Sequence, residues 1–245
     1  MKKPMKNEQT TASVLKKHSD SRRHFLKMGG LAVAGTSLLL YGCSDDDDMG
    51  MPTEVFDLGE GDVGILNYAY ALEQLEAAFY TQVLAGSYWA GANPEEKLIL
   101  EDLYKHEVIH REFFKAALGA AASSNQVLPT LEFDFSSVNF GNRASVLGTA
   151  RVLEDTGVAA YNGAGSLLQN PTYLVLAGKI VSVEARHAAA IRSIFLEDPK
   201  AFAGDDVIDN NGLDLAKSPS MILQEVGATG FVKTPFTANR LPSGS

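Results

Sequence analysis

Four carboxylates and two imidazoles fall on helical stripes that should be apolar. Glu107-x-x-His110 and Glu184-x-x-His187 are two copies of one motif, 77 residues apart, and Glu73 and Glu154 are two lone carboxylates, 81 residues apart. Leu72-Glu73 runs on to Ala78 and Tyr80, and Leu153-Glu154 runs on to Ala159 and Tyr161. The chain reads as one helical hairpin written twice, each copy giving one lone Glu and one E-x-x-H.

Helical spacing sets the environment of each group. Leu100, Leu103, Phe114 and Leu118 share a face with Glu107 and His110; Ala177, Ile180, Ile191 and Phe195 share one with Glu184 and His187. Glu73 follows Leu66 and Ala69, and Glu154 follows Leu147 and Ala150. These stripes face a core. An unpaired buried carboxylate is costly, and four in one core are untenable without cations. Two divalent ions would balance four carboxylates, and two neutral imidazoles would complete the coordination. Residues i and i+3 project from one helix face, so each E-x-x-H offers an oxygen and a nitrogen to one point.

Helix punctuation gives the frame. Four stretches are expected to be helical: about 61–85, 94–118, 143–168 and 171–196. Asn93-Pro94 is a cap followed by proline at the first helical position. The first and third connections are short and predict antiparallel hairpins, while the second, about 119–142, is long. All-α, two hairpins and a long crossover make a four-helix bundle. Residues 198–245 are rich in Asp, Asn, Gly and Pro and read as an irregular C-terminal extension with a short helix around Pro219–Val226. No strand is expected.

The constellation of a Glu from each of two helices and a Glu-x-x-His from each of the other two resembles the ferritin-like superfamily. The stretches ILNYAYALEQLEAAFY (65–80) and LEDTGVAAYNGAG (153–165) resemble the exported ferritin-like family that includes desiccation-related proteins. The resemblance covers about 60–197 and implies a ferritin-like four-helix bundle over 61–197. It implies terminal metal ligands at Glu73 and Glu154, bridging ligands at Glu107 and Glu184, and one imidazole per metal from His110 and His187. Tyr80 and Tyr161 would lie just behind the ligands. The implied cofactor is a pair of iron or manganese ions cycling between oxidation states on O2, peroxide or Fe(II). Ligands of O and N without thiolate argue against structural zinc.

Glu76 follows Glu73 by one turn, but its counterpart is Gly157, so it stands as a further ligand, a metal-entry residue or a rim charge. His106-Glu107-x-x-His110 also spells the H-E-x-x-H of zinc metalloproteases. That reading needs a third ligand downstream and leaves Glu73, Glu154 and Glu184 unexplained. His106 maps onto Val183 in the second half, so the repeat makes it a bystander.

The N-terminal part reads as an address. Arg22-Arg23 in SRRHFLK, followed by an apolar run from Met28 to Gly42, has the form of a twin-arginine export signal over 1–42. The run is too short to span a bilayer comfortably. Cys43, the only cysteine, ends LLLYGC, which resembles a lipoprotein processing box, and residues 43–60 read as an acidic linker. The expected partners are the twin-arginine translocase and, through a lipid on Cys43, a membrane; the location is periplasmic or cell-surface. Residues 1–42 carry eight Lys and Arg against two Asp and Glu, so their removal takes the net charge from −9 to −15. That balance disfavours nucleic acid and favours metal cations. A non-enzymatic surface lipoprotein using the bundle for binding or stress protection is the alternative of another class.

Overall fold

A computed structural model describes residues 55–196, 198 and 200–242. Arg22, Arg23 and Cys43, on which the export and lipidation readings rest, lie outside the described residues. Among those described, no helix is long and apolar enough to cross a membrane.

Among the described residues there are six α-helices: α1 Gly61–Ala85, α2 Ser87–Gly91, α3 Pro94–Ala121, α4 Arg143–Gly165, α5 Pro171–Leu196 and α6 Pro219–Thr229. The main packing is α1 on α3 and α4 on α5, the two expected hairpins. Boundaries follow local chemistry. Asn93 accepts a hydrogen bond from the Glu96 amide at 2.9 Å with Pro94 at the first position of α3, and Asn142 accepts from the Ser145 amide at 2.9 Å to start α4. Three details differ from expectation. Gly119 does not stop α3, which runs on to Ala121; α4 ends at Gly165 rather than at 168; and the first connection contains the short helix α2. Gly119 meets nothing around its Cβ position, so no packing forces a break there.

Helix α1 is buried on nearly every side, because the bundle covers one face and the 122–142 crossover covers the other. Two side-chain amides replace the missing strand partners of the crossover. Asn67 Nδ2 donates to the carbonyls of Leu58 and Gln126 at 3.0 and 2.8 Å, and its Oδ1 accepts from the Leu128 amide at 2.9 Å. Gln74 donates to the Pro129 carbonyl at 3.2 Å and accepts from the Leu131 amide at 2.9 Å. Buried backbone polar groups require such partners.

The expectation of no strand fails in a small way. Phe56–Asp57 (β1) pairs in parallel with Phe236–Thr237 (β2). Leu58 beside it is fully buried, so the end of the acidic segment packs on the bundle. The short helix expected near Pro219–Val226 is α6, closed by Gly230 at φ 69°. The C-terminal extension is mostly irregular yet docked. The Lys217 amide donates to the Ala159 carbonyl at 3.0 Å, and a Cβ on Gly163 would lie 1.7 Å from the Lys217 carbonyl oxygen, so only glycine admits that approach. Fully buried Arg192 on α5 donates to the Ala201 carbonyl and to Asp155, both at 2.7 Å, and to Asp206.

At one end of the bundle, buried Glu96 of α3 accepts from Tyr88 of α2 and from Arg143 of α4, both at 2.8 Å. Arg143 also donates to the Ile194 carbonyl at 2.5 Å, which ties the hairpins together.

Candidate metal centre

The helices bring the six expected residues to one place. Glu73 of α1, Glu107 and His110 of α3, Glu154 of α4, and Glu184 and His187 of α5 are all buried, the four carboxylates completely. Within E-x-x-H the oxygen and nitrogen do converge: Glu107 Oε2 lies 3.4 Å from His110 Nδ1, and Glu184 Oε2 lies 3.6 Å from His187 Nδ1. The closer approaches cross between helices. Glu184 Oε1 is 2.9 Å from His110 Nδ1, and Glu107 Oε1 is 2.8 Å from His187 Nδ1. The lone carboxylates complete each half, with Glu73 Oε2 at 3.5 Å from His110 Nδ1 and Glu154 Oε2 at 3.4 Å from His187 Nδ1.

Two groups of four ligand atoms result: Glu73, Glu107, His110 and Glu184, and Glu107, Glu154, Glu184 and His187. In each group the atoms lie within 4.8 Å of one another, and Glu107 and Glu184 belong to both. Bonds of about 2.0–2.2 Å from one divalent ion reach ligands up to about 4.4 Å apart, so each group needs only a slight contraction to close on an ion.

The polar atoms test that fit. Glu73 Oε2, both oxygens of Glu107 and of Glu184, Glu154 Oε2 and Nδ1 of both histidines are buried without a hydrogen-bond partner. The imidazole-to-carboxylate approaches fall outside hydrogen-bond geometry, though the closest, at 2.8 and 2.9 Å, bring the groups together as ion pairs. Buried polar atoms are rarely left without a hydrogen-bond partner, and all of these belong to residues of the two groups. Divalent cations at the two points would satisfy them. The clusters can hold metal ions.

The outer oxygens are occupied instead. Tyr80 of α1 donates to Glu154 Oε1 at 2.5 Å, and Tyr161 of α4 donates to Glu73 Oε1. Each hairpin's tyrosine therefore holds the other hairpin's lone carboxylate, leaving one oxygen free to face inward. Burial and the neighbouring carboxylates, Glu154 for Tyr80 and Glu73 for Tyr161, push both phenols well above their ordinary range, so they remain donors.

Charge inside the cage is strongly redistributed. Burial, followed by Glu184 and Glu107, drives Glu73 well above the carboxylate range despite the opposing effect of His110. Burial raises Glu154 to about 7 against the pull of His187. Burial opposes ionisation of Glu107 too, but His110 and His187 hold it down at about 2. Burial disfavours the charged imidazoles, and Glu107, Glu184 and Glu73 outweigh it at His110, raising it to about 12; Glu107, Glu154 and Glu184 raise His187 likewise. Protons on the imidazoles occupy the role that cations would take.

Glu76 is buried but belongs to neither ligand group. Its Oε1 lies 3.1 Å from where a Cβ on Gly157 would be, so it fills the space its glycine counterpart leaves, next to Glu184. Burial, then Glu107, Glu184, Glu154 and Glu73, push its carboxyl well above the usual range.

His106 is not the bystander that the repeat implies. Its Nδ1 lies 2.9 Å from Nε2 of His187, with the rings 9° from parallel. The zinc-protease arrangement does not form: His106 is in neither ligand group, and it turns to His187 and not to a point shared with His110. The contact joins two helices and lies outside the H-E-x-x-H spelling, which pairs His106 with His110.

An apolar cavity lies between the four helices toward the start of α1, lined by Ile65, Leu72, Phe114, Ala160, Tyr161 and Ala177 among others. Tyr161 belongs to both regions, lining the cavity and donating to Glu73.

An all-α bundle with a carboxylate and imidazole cage at its centre defines a class of protein suited to bind metal ions. The model of the ferritin-like domain matches residues 61–197, and the chain belongs to that family. No curated protein matches the chain.

Proposed function

We propose that the chain holds two iron or manganese ions in this cage and acts as an oxidoreductase on O2, peroxide or Fe(II). The observation that carries the reading is the set of eight buried ligand atoms that face inward with no hydrogen-bond partner. Glu73, Glu107, His110 and Glu184 would hold one ion; Glu107, Glu154, Glu184 and His187 would hold the other. Iron or manganese bound there supplies one-electron steps between neighbouring oxidation states at two adjacent positions.

The chain's own groups set the conditions. Glu107 and Glu184 each present one oxygen to each position and would serve both ions. Tyr80 and Tyr161 hold one oxygen of each terminal carboxylate and so orient the other toward the cage. Burial of the six residues, complete for the four carboxylates, limits access of bulk water and strengthens every electrostatic contact. The cavity beside Tyr161 has apolar walls, which suits a small apolar reactant such as O2 better than a large polar one.

The address supports an exported role in oxidative or desiccation stress. Arg22-Arg23 would direct the chain to the twin-arginine translocase, and a lipid on Cys43 would anchor it at the periplasmic or outer face of a membrane. That route carries folded proteins, so the metal would be chosen in the cytoplasm. A metal-free cytosolic precursor beside a loaded exported form would contradict that order of events.

The test is to reconstitute the purified protein with Fe(II) or Mn(II) and follow O2 uptake and peroxide consumption. The reading expects both to exceed those of the free metal and to vanish in Glu107→Ala. Rates equal to the free ion in the loaded protein would overturn the enzymatic part.

A further inference from the structure

The two halves differ at one position that touches a ligand. His106, on the exposed side of α3, places Nδ1 at 2.9 Å from His187 Nε2. His187 Nδ1 points the other way, into Glu107, Glu154 and Glu184. The imidazole thus uses one nitrogen toward the cage and the other toward His106. The 77-residue step that carries Glu107 and His110 onto Glu184 and His187 carries His106 onto Val183, which offers no such acceptor. Among the described residues, nothing hydrogen-bonds His110 Nε2.

We propose that His106 is a positioning residue for His187 and makes the metal position of Glu154 and His187 the tighter of the two. The inference rests on the dinuclear reading above. A ligating imidazole gives its lone pair at Nδ1 and so carries its proton at Nε2. His187 is then the donor, and His106 Nδ1 is the acceptor. That bond fixes the tautomer and the ring plane and makes Nδ1 a better donor to a metal. Removing such a partner typically weakens metal affinity by about 10–100-fold. His110 has no equivalent acceptor, so its position lacks this support.

Binding isotherms of the purified chain with Mn(II) and Co(II) decide the matter, comparing wild type, His106→Leu and His106→Asn. His106 is exposed, so neither change removes a core residue. Wild type should bind two ions in two resolved steps. His106→Leu should weaken the tighter step by about 10–100-fold and leave the other within error. His106→Asn, whose amide oxygen can accept the same hydrogen bond, should restore most of the loss. In the protein loaded with diamagnetic Zn(II), the His187 Nε2–H proton should be slow to exchange in wild type and fast in His106→Leu. Two ions bound by wild type, with His106→Leu unchanged or with both steps weakened equally, overturns the inference and leaves the dinuclear reading intact. No ion bound by wild type removes both.

Discussion

Tyr80 and Glu154 lie on different hairpins, 74 residues apart in the chain, and the Tyr80 hydroxyl donates to Glu154 Oε1 at 2.5 Å. The bond lets a carboxylate with no exposure keep one oxygen satisfied while the other faces the cage. Tyr80→Phe keeps the ring and removes the donor. It should cost about 1–3 kcal/mol, the usual penalty for stranding a buried acceptor, and should loosen the ion held by Glu154 more than the one held by Glu73. Thermal melts with and without metal measure the first effect, and metal titration measures the second. An unchanged melting point in both states contradicts the assigned role.

The pH dependence should reverse on metal binding. In the metal-free protein, burial holds Glu154 at about 7, and Glu107, Glu184 and Glu73 hold His110 at about 12 against its burial. Both are raised above their unfolded values. Their contribution to stability is therefore complete below those unfolded values, near pH 4.5 and 6.5, and is lost as pH rises toward the folded ones. Glu107, depressed to about 2, acts in the opposite sense: its contribution is complete above about pH 4.5 and is lost as pH falls toward 2. The metal-free protein should thus lose stability from about pH 5 to 9. Cations displace the cage protons, so metal binding should release protons and the stabilisation by metal should grow across the same range. Melting points at several pH values, with chelator and with Mn(II), provide the check. A metal-free protein that gains stability steadily from pH 5 to 9 contradicts it.

Gly157 and Glu76 form a size-matched pair. A methyl group on Gly157 would meet Glu76 Oε1 at 3.1 Å and Glu184 Oε2 at 3.7 Å. Gly157→Ala should cost about 1–3 kcal/mol as overpacking and should disturb the bridging Glu184. Shortening Glu76 to Ala in the same molecule should recover much of that loss, so the two changes should be strongly non-additive in a double-mutant cycle. Additive effects would show that the two side chains do not share the space.

What the sequence reveals about this protein follows from its periodicity. Glu73, Glu107, His110, Glu154, Glu184 and His187 were legible because each breaks an apolar helical stripe and each recurs in the other half. The bundle was legible for the same reason, with Asn93-Pro94 marking the start of α3. Features that break the repeat were harder to read. His106 has Val183 as its counterpart, and its contact with His187 depends on how α3 lies against α5, which no local pattern encodes. The docking of the C-terminal extension was also hidden. Buried Arg192 looks like an ordinary surface arginine on α5 until its partners Asp155, Asp206 and the Ala201 carbonyl are known. Asn67 and Gln74 serve as backbone partners to a distant loop, which spacing along α1 does not disclose.

The most direct measurement is the metal content of the purified chain after anaerobic loading with Fe(II) or Mn(II) and removal of free ions. The shared positions of Glu107 and Glu184 predict two ions per chain in wild type and loss of both in Glu107→Ala, because each ion loses an oxygen. Glu73→Ala should preferentially release the ion beside His110. A wild-type chain that stays folded and retains no ion, or a Glu107→Ala variant that still retains two, would contradict a dinuclear centre.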